Sequence, residues 1–140
     1  MGATLAGLAF SNVGVALVHA LEYPVGGATH CSHGEGNGLL LPYVMRFNLP
    51  GRERAFAEIA RLLGVETQGM SDETAALAGI VYVEKLREQI RIPLRLRDLG
   101  TKHEQLPQLA QKAFAIKRLM RVNPRVVTEA DCLAIYEAAY

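Results

Sequence analysis

Residues 3–21 read ATLAGLAFSNVGVALVHAL, an uncharged run just short of bilayer-spanning length. No Lys or Arg precedes it, as a secretory leader requires. Asn12 and His19 are costly in lipid, and no positive anchors flank the run. The run therefore predicts a helix over about residues 3–22 of a soluble protein, buried on most sides because it is apolar nearly all round. Pro24 and the pair Gly26-Gly27 predict its stop, and Tyr23 to Ser32 then reads as a loop.

The helical period continues beyond that loop. A second helix is expected from about His33, through Leu39-Leu40-Leu41 and Tyr43-Val44-Met45, with Pro42 bending it and Asn48 to Gly51 breaking it. A third fits Arg52 to Leu63, stopped at Gly64. Ser71 is a good N-cap, and Asp72 and Glu73 follow where a helix dipole favours acids. That fourth helix should reach about Ile90, with Leu77, Ile80, Val81, Val83 and Leu86 toward a core. Pro107 suits the first position of a fifth helix ending near Met120. Thr128-Glu-Ala-Asp131 resembles a capping box opening the last. No βαβ pattern and no internal repeat is present, so residues 1–140 read as a single all-α helical bundle.

Composition agrees. Half of the 140 residues are apolar and 21% are charged, which suits one folded domain and excludes disorder. A net charge of +1 provides no field to steer polyanions, so no nucleic-acid partner and no membrane is expected. Arg87 to Arg97 and Lys112 to Arg125 are basic but read as solvated helix faces and dipole partners. Cys31 and Cys132 cannot build a disulfide framework and fit reduced thiols in a cytoplasmic protein.

Chemistry concentrates between His19 and Gly36, where three His, one Cys and two Glu fall close together. Neutral imidazole is a good ligand for transition metals. A reversal between His19 and His33 would aim both rings at one point. A lone His on an apolar helix is more often a satisfied core residue, so spacing alone leaves ligation open. His30-Cys31-Ser32-His33 lacks the second cluster that structural zinc requires. Gly34-Glu-Gly36-Asn-Gly38 has neither the spacing nor the strand of a dinucleotide fingerprint. Cys31 lies near a helix N-terminus, but no nucleophile-and-base arrangement supports it. Glu22, His30 and Cys31 remain as substitute donors.

An ordered series of motifs adds to this reading. Gly7-Leu-Ala-Phe10-Ser-Asn12, His19, Gly26-Gly27, His33-Gly34 and Leu41-Pro42 resemble the C-terminal helical domain of the iron-containing (group III) alcohol dehydrogenases, of dehydroquinate synthase-like fold. Leu96-Arg-Asp98-Leu-Gly100, Leu106-Pro107-Gln-Leu-Ala110, Asn123-Pro124-Arg125 and Thr128-Glu-Ala-Asp131 extend the likeness to the end of the chain.

The resemblance implies a divalent metal, iron or zinc, held by an Asp and three His, of which the last two match His19 and His33. It places the other two ligands, and a nucleotide-binding domain for NAD or NADP, upstream of residue 1. It implies hydride transfer between a small alcohol and an aldehyde or ketone in the complete enzyme, with the chain inactive alone and prone to form homo-oligomers through an uncovered apolar face. Many relatives carry a further His where Tyr23 stands. A phenol is a poorer proton relay than imidazole at neutral pH, so Tyr23 is expected to line the substrate pocket. Tyr23-Pro24 is also similar to hydroxyacid–oxoacid transhydrogenases. A non-catalytic helical assembly domain, or a metal-binding bundle with its own role, are the alternatives outside that chemistry.

Overall fold

The computed structural model describes residues 1–140, and every regular element in it is a helix. The elements are α1 (Gly2–Val13), α2 (Leu17–Thr29), α3 (His33–Asn48), α4 (Glu53–Leu62), α5 (Asp72–Gln89), α6 (Leu106–Phe114), α7 (Lys117–Arg121) and α8 (Glu129–Ala139). Two 3-10 turns, Leu96–Leu99 and His103–Gln105, link α5 to α6. The all-α bundle expected from the sequence is the fold.

The opening run departs from expectation. It forms two helices, not one, with their axes bent by 98°. The break falls at Gly14, whose φ of 80° suits a residue without a Cβ. α1 buries no residue, and Leu5, Leu8, Phe10 and Val13 are all more than half exposed. Apolar composition marked this segment as able to be buried; the fold supplies nothing to cover it. No single helix is long and apolar enough to cross a membrane.

The expected loop over residues 23–32 is also replaced. α2 runs on through Pro24, Gly26 and Gly27 to Thr29. Leu17, Ala20, Leu21 and Val25 form a stripe at helical spacing, each 0% exposed. Burying that stripe outweighs the low helix propensity of Pro and Gly, a tertiary override of a local preference. His30 then closes the helix in the left-handed conformation at φ 58°, its N–H donating to the Gly26 carbonyl. Two residues later Ser32 opens α3 with a capping box, its hydroxyl and backbone N–H both meeting Glu35. The chain thus reverses within three residues, and α2 lies against α3.

The main core gathers α2, α3, α6, α7 and α8 around Leu21, Leu40, Leu106 and Tyr136. The Tyr136 hydroxyl donates to the Leu21 carbonyl, fixing α8 to the middle of α2. α6 ends at Phe114 and α7 restarts at Lys117, so the fifth helix expected to reach Met120 is interrupted.

α4 and α5 form a separate hairpin packed through small side chains. Ala57, Ala60, Ala75 and Ala76 are all fully buried, and a Cβ on Gly79 would lie 2.7 Å from that of Ala60. Such close approach leaves no room for long side chains. Ile80 is buried as expected, but Leu77, Val81 and Leu86 remain 38–40% exposed. Arg46–Glu84 at 2.8 Å and Arg87 to the Leu39 carbonyl at 2.8 Å hold the hairpin to α3.

Candidate metal centre

The α2–α3 reversal brings three aromatic side chains together. The His19 and His33 ring centroids are 5.0 Å apart. Tyr23, one turn after His19, stacks on His33 at 5.9 Å and meets His19 edge-on at 6.3 Å. Sequence spacing put His19 at the end of a helix; the longer α2 instead places it near that helix's start, with Tyr23 in the middle. The two rings still meet, 5.0 Å apart across the contact between α2 and α3.

Their environments differ. His19 is half-buried, and its Nδ1 is enclosed without a hydrogen-bond partner. Burial, then the nearby His33 ring, hold the His19 pKa below the ordinary imidazole value, and Glu22 opposes them. His19 is therefore neutral at physiological pH, the form whose lone pair can meet a cation. His33 is more exposed, at 56% of its side chain, and its Nδ1 lies 2.6 Å from Glu22 Oε2. Asn37 Nδ2 lies 3.2 and 3.1 Å from the two nitrogens of His33, which places it over the ring face. Its in-line hydrogen bond goes to the His33 carbonyl at 2.9 Å.

These observations fit a divalent cation. Metal–imidazole bonds of about 2 Å at tetrahedral angles put two ring centroids roughly 5 Å apart. An enclosed, unpartnered nitrogen costs about 1–3 kcal/mol until something meets it. Two rings form only part of a ligand set, and no group of three or more His, Cys, Asp and Glu side chains is arranged to hold a metal here. His30 is exposed at the C-cap of α2 and joins nothing. Cys31 is half-buried, with Sγ 3.4 Å from where a Cβ on Gly36 would lie.

The carboxylate of Glu22 is the feature that sequence reasoning cast only as a substitute donor. Its side chain is 4% exposed and serves His33. Two glycines make room for it. A Cβ at Gly26 would lie 2.7 Å from Glu22 Oε1, and one at Gly36 would lie 2.7 Å from Glu22 Cγ. The sequence held no signal for this, because Pro24, Gly26 and Gly27 read as the end of the helix that in the fold carries both Glu22 and Gly26.

Known proteins resemble the chain along its whole length. The sequence model for the "Fe-containing alcohol dehydrogenase family, C-terminal" matches residues 1–140. Lactaldehyde reductase of Escherichia coli (strain K12) is 39% identical over 140 residues, covering 100% of this chain and 36% of that protein. NAD-dependent methanol dehydrogenase of Bacillus methanolicus is 38% identical over 135 residues, 96% of this chain and 35% of the other. The crystal structure of a 1,3-propanediol oxidoreductase superposes with a TM-score of 0.93 at 38% identity, over 97% of this chain and 35% of that one. The chain spans about a third of the length of the relatives it matches.

Proposed function

The chain belongs to the Fe-containing alcohol dehydrogenase family, as its C-terminal domain, and we propose that it supplies two ligands of the catalytic metal in an alcohol–carbonyl oxidoreductase. In that enzyme a small alcohol gives a hydride to NAD or NADP and a proton to solvent or base, leaving an aldehyde or ketone. The reverse direction reduces the carbonyl. The names of the relatives, a lactaldehyde reductase and an NAD-dependent methanol dehydrogenase, support the substrate class and the nicotinamide.

The observation that carries this reading is the convergence of His19 and His33 at 5.0 Å, with His19 Nδ1 enclosed and unpartnered. His19 and His33 would hold the divalent cation, iron or zinc. When bound, the cation supplies Lewis acidity at the alcohol or carbonyl oxygen. His19 contributes by staying neutral, through its burial. Tyr23 lies on the open side of the pair, 41% exposed. Its ring covers one face of His33, and its hydroxyl is available to hydrogen-bond a small polar substrate. The nucleotide-binding part of the enzyme, and the Asp and first His of the metal set, belong to sequence outside these residues in this reading.

A cytoplasmic location and self-association complete the proposal. α1 presents Leu5, Leu8, Phe10 and Val13 to solvent, and a second copy is the partner expected for the isolated chain. A clean monomer by sedimentation at micromolar concentration removes that part.

Zinc titration of the wild-type chain against His19→Ala and His33→Ala tests the site. Each substitution should weaken binding by at least tenfold. Equal binding by all three proteins refutes the assignment.

A further inference from the structure

We propose that Glu22 is a positioning residue for the metal centre: its buried carboxylate accepts from His33 Nδ1–H and so leaves Nε2 as the nitrogen His33 offers to a cation. This rests on the metal reading above and adds a residue to it. Three observations support it independently of sequence likeness. The contact is short, 2.6 Å from Nδ1 to Oε2. The carboxylate is almost wholly buried, whereas the ring it holds is 56% exposed on its other side. The two helices are notched by Gly26 and Gly36 where any side chain would strike Glu22.

Carboxylates are seldom buried without a partner, because desolvation costs more than packing returns. No Lys or Arg pairs with Glu22; the polar group it meets is the His33 ring. In this arrangement the carboxylate oxygen accepts and the ring donates through Nδ1–H. Which imidazole nitrogen is free is set by the hydrogen bond that the other one makes. A carboxylate behind a ligating His also fixes the ring plane and raises its basicity. The pair His33–Glu22 has that form, and His19, whose Nδ1 is unpartnered, does not.

The proposal assigns Glu22 to orientation, and a purely packing role predicts different results. Glu22→Met fills the same space without an acceptor; Glu22→Gln keeps an acceptor without the charge. Two readouts are taken on the chain. The first, without metal, is the tautomer of His33 by nitrogen-15 NMR at about pH 8.5, above the ordinary imidazole range. The second is zinc affinity by chelator competition, with His33→Ala as reference.

Expected results are Nδ1–H on His33 in the wild-type chain and in Glu22→Gln, and a shift toward Nε2–H in Glu22→Met. Zinc affinity should fall about 10–100-fold in Glu22→Met, and less in Glu22→Gln. Wild-type zinc affinity in Glu22→Met, with binding still lost in His33→Ala, overturns the role of Glu22 and leaves the metal reading standing. Zinc binding that ignores His33→Ala overturns both. Should Glu22→Met not unfold cooperatively, the wild-type spectrum decides, since Nε2–H on His33 contradicts the hydrogen bond itself.

Discussion

Substituting Gly36 by Ala tests how tightly the helices close on Glu22. The new Cβ would lie 2.7 Å from Glu22 Cγ, 3.2 Å from its Oε1 and 3.4 Å from Cys31 Sγ. Carbon atoms rest about 3.5–4.0 Å apart, so the Glu22 methylene must retreat by roughly 1 Å. It has little space to do so, because its side chain is already buried, at 4% exposed. A shift of that size takes the 2.6 Å contact with His33 past good hydrogen-bond length, about 3.2 Å.

Losing a hydrogen bond to a charged group costs about 1.5–3 kcal/mol, and Ala returns up to about 1 kcal/mol of helix propensity. Gly36→Ala should therefore destabilise by about 0.5–2 kcal/mol, a few degrees in Tm for a domain of this size. Gly27 provides the control, because it is also inside a helix and a Cβ there meets nothing within 4 Å. Gly27→Ala should stabilise by about 0.4–1 kcal/mol. Circular dichroism melting compares the two, and chelator competition follows zinc affinity, expected to fall in Gly36→Ala alone. Equal gains in Tm from both substitutions, with zinc affinity unchanged, would refute the confinement of Glu22.

Other consequences follow from the same packing. Gly79→Ala puts a Cβ 2.7 Å from the Ala60 Cβ and 3.2 Å from its Cα, so α4 and α5 must separate; a loss of about 1–3 kcal/mol is expected in chemical denaturation. Burial pushes the Cys132 thiol up to about 11 from 9.0. The unfolded chain then releases this proton first, so its stabilising contribution is full below pH 9 and lost as pH rises through about 11, at most about 3 kcal/mol; the same alkaline slope in Cys132→Ala would contradict it. The purified chain, metal-loaded, should show no alcohol oxidation with NAD or NADP, because hydride transfer needs the nicotinamide held against the substrate and its elements are all helices, without the βαβ unit that usually binds a dinucleotide; turnover near 1 per second, ordinary for an enzyme, would refute this.

What the sequence disclosed depended on how local each determinant was. Ser71 and the Thr128–Asp131 box cap their helices as read, because a cap needs only residues within one turn. Gly64, at φ 81°, ends α4 for the same reason. The core face of α5 departs from the reading, since large apolar residues usually mark a buried stripe and here the partner helix comes close enough to set Ala60 directly against Gly79. Distance between helices is not written in either helix alone.

The segment from Pro24 to Gly27 makes the same point for the site. Read locally, Pro24, Gly26 and Gly27 stop a helix. In the fold the buried stripe of Leu17, Leu21 and Val25 carries α2 past them. Gly26 is then a notch and not a stop, making room beside Oε1 of Glu22 while Gly36 makes room beside its Cγ. A buried Glu has no local signature, because the exposed Glu is the ordinary one. Its burial is decided by what α3 presents, a glycine for close approach and His33 as the hydrogen-bond partner. His19 and His33 were legible as a candidate pair from their flanks. The residue proposed to orient one of them becomes legible only once the fold brings Gly26 and Gly36 against it.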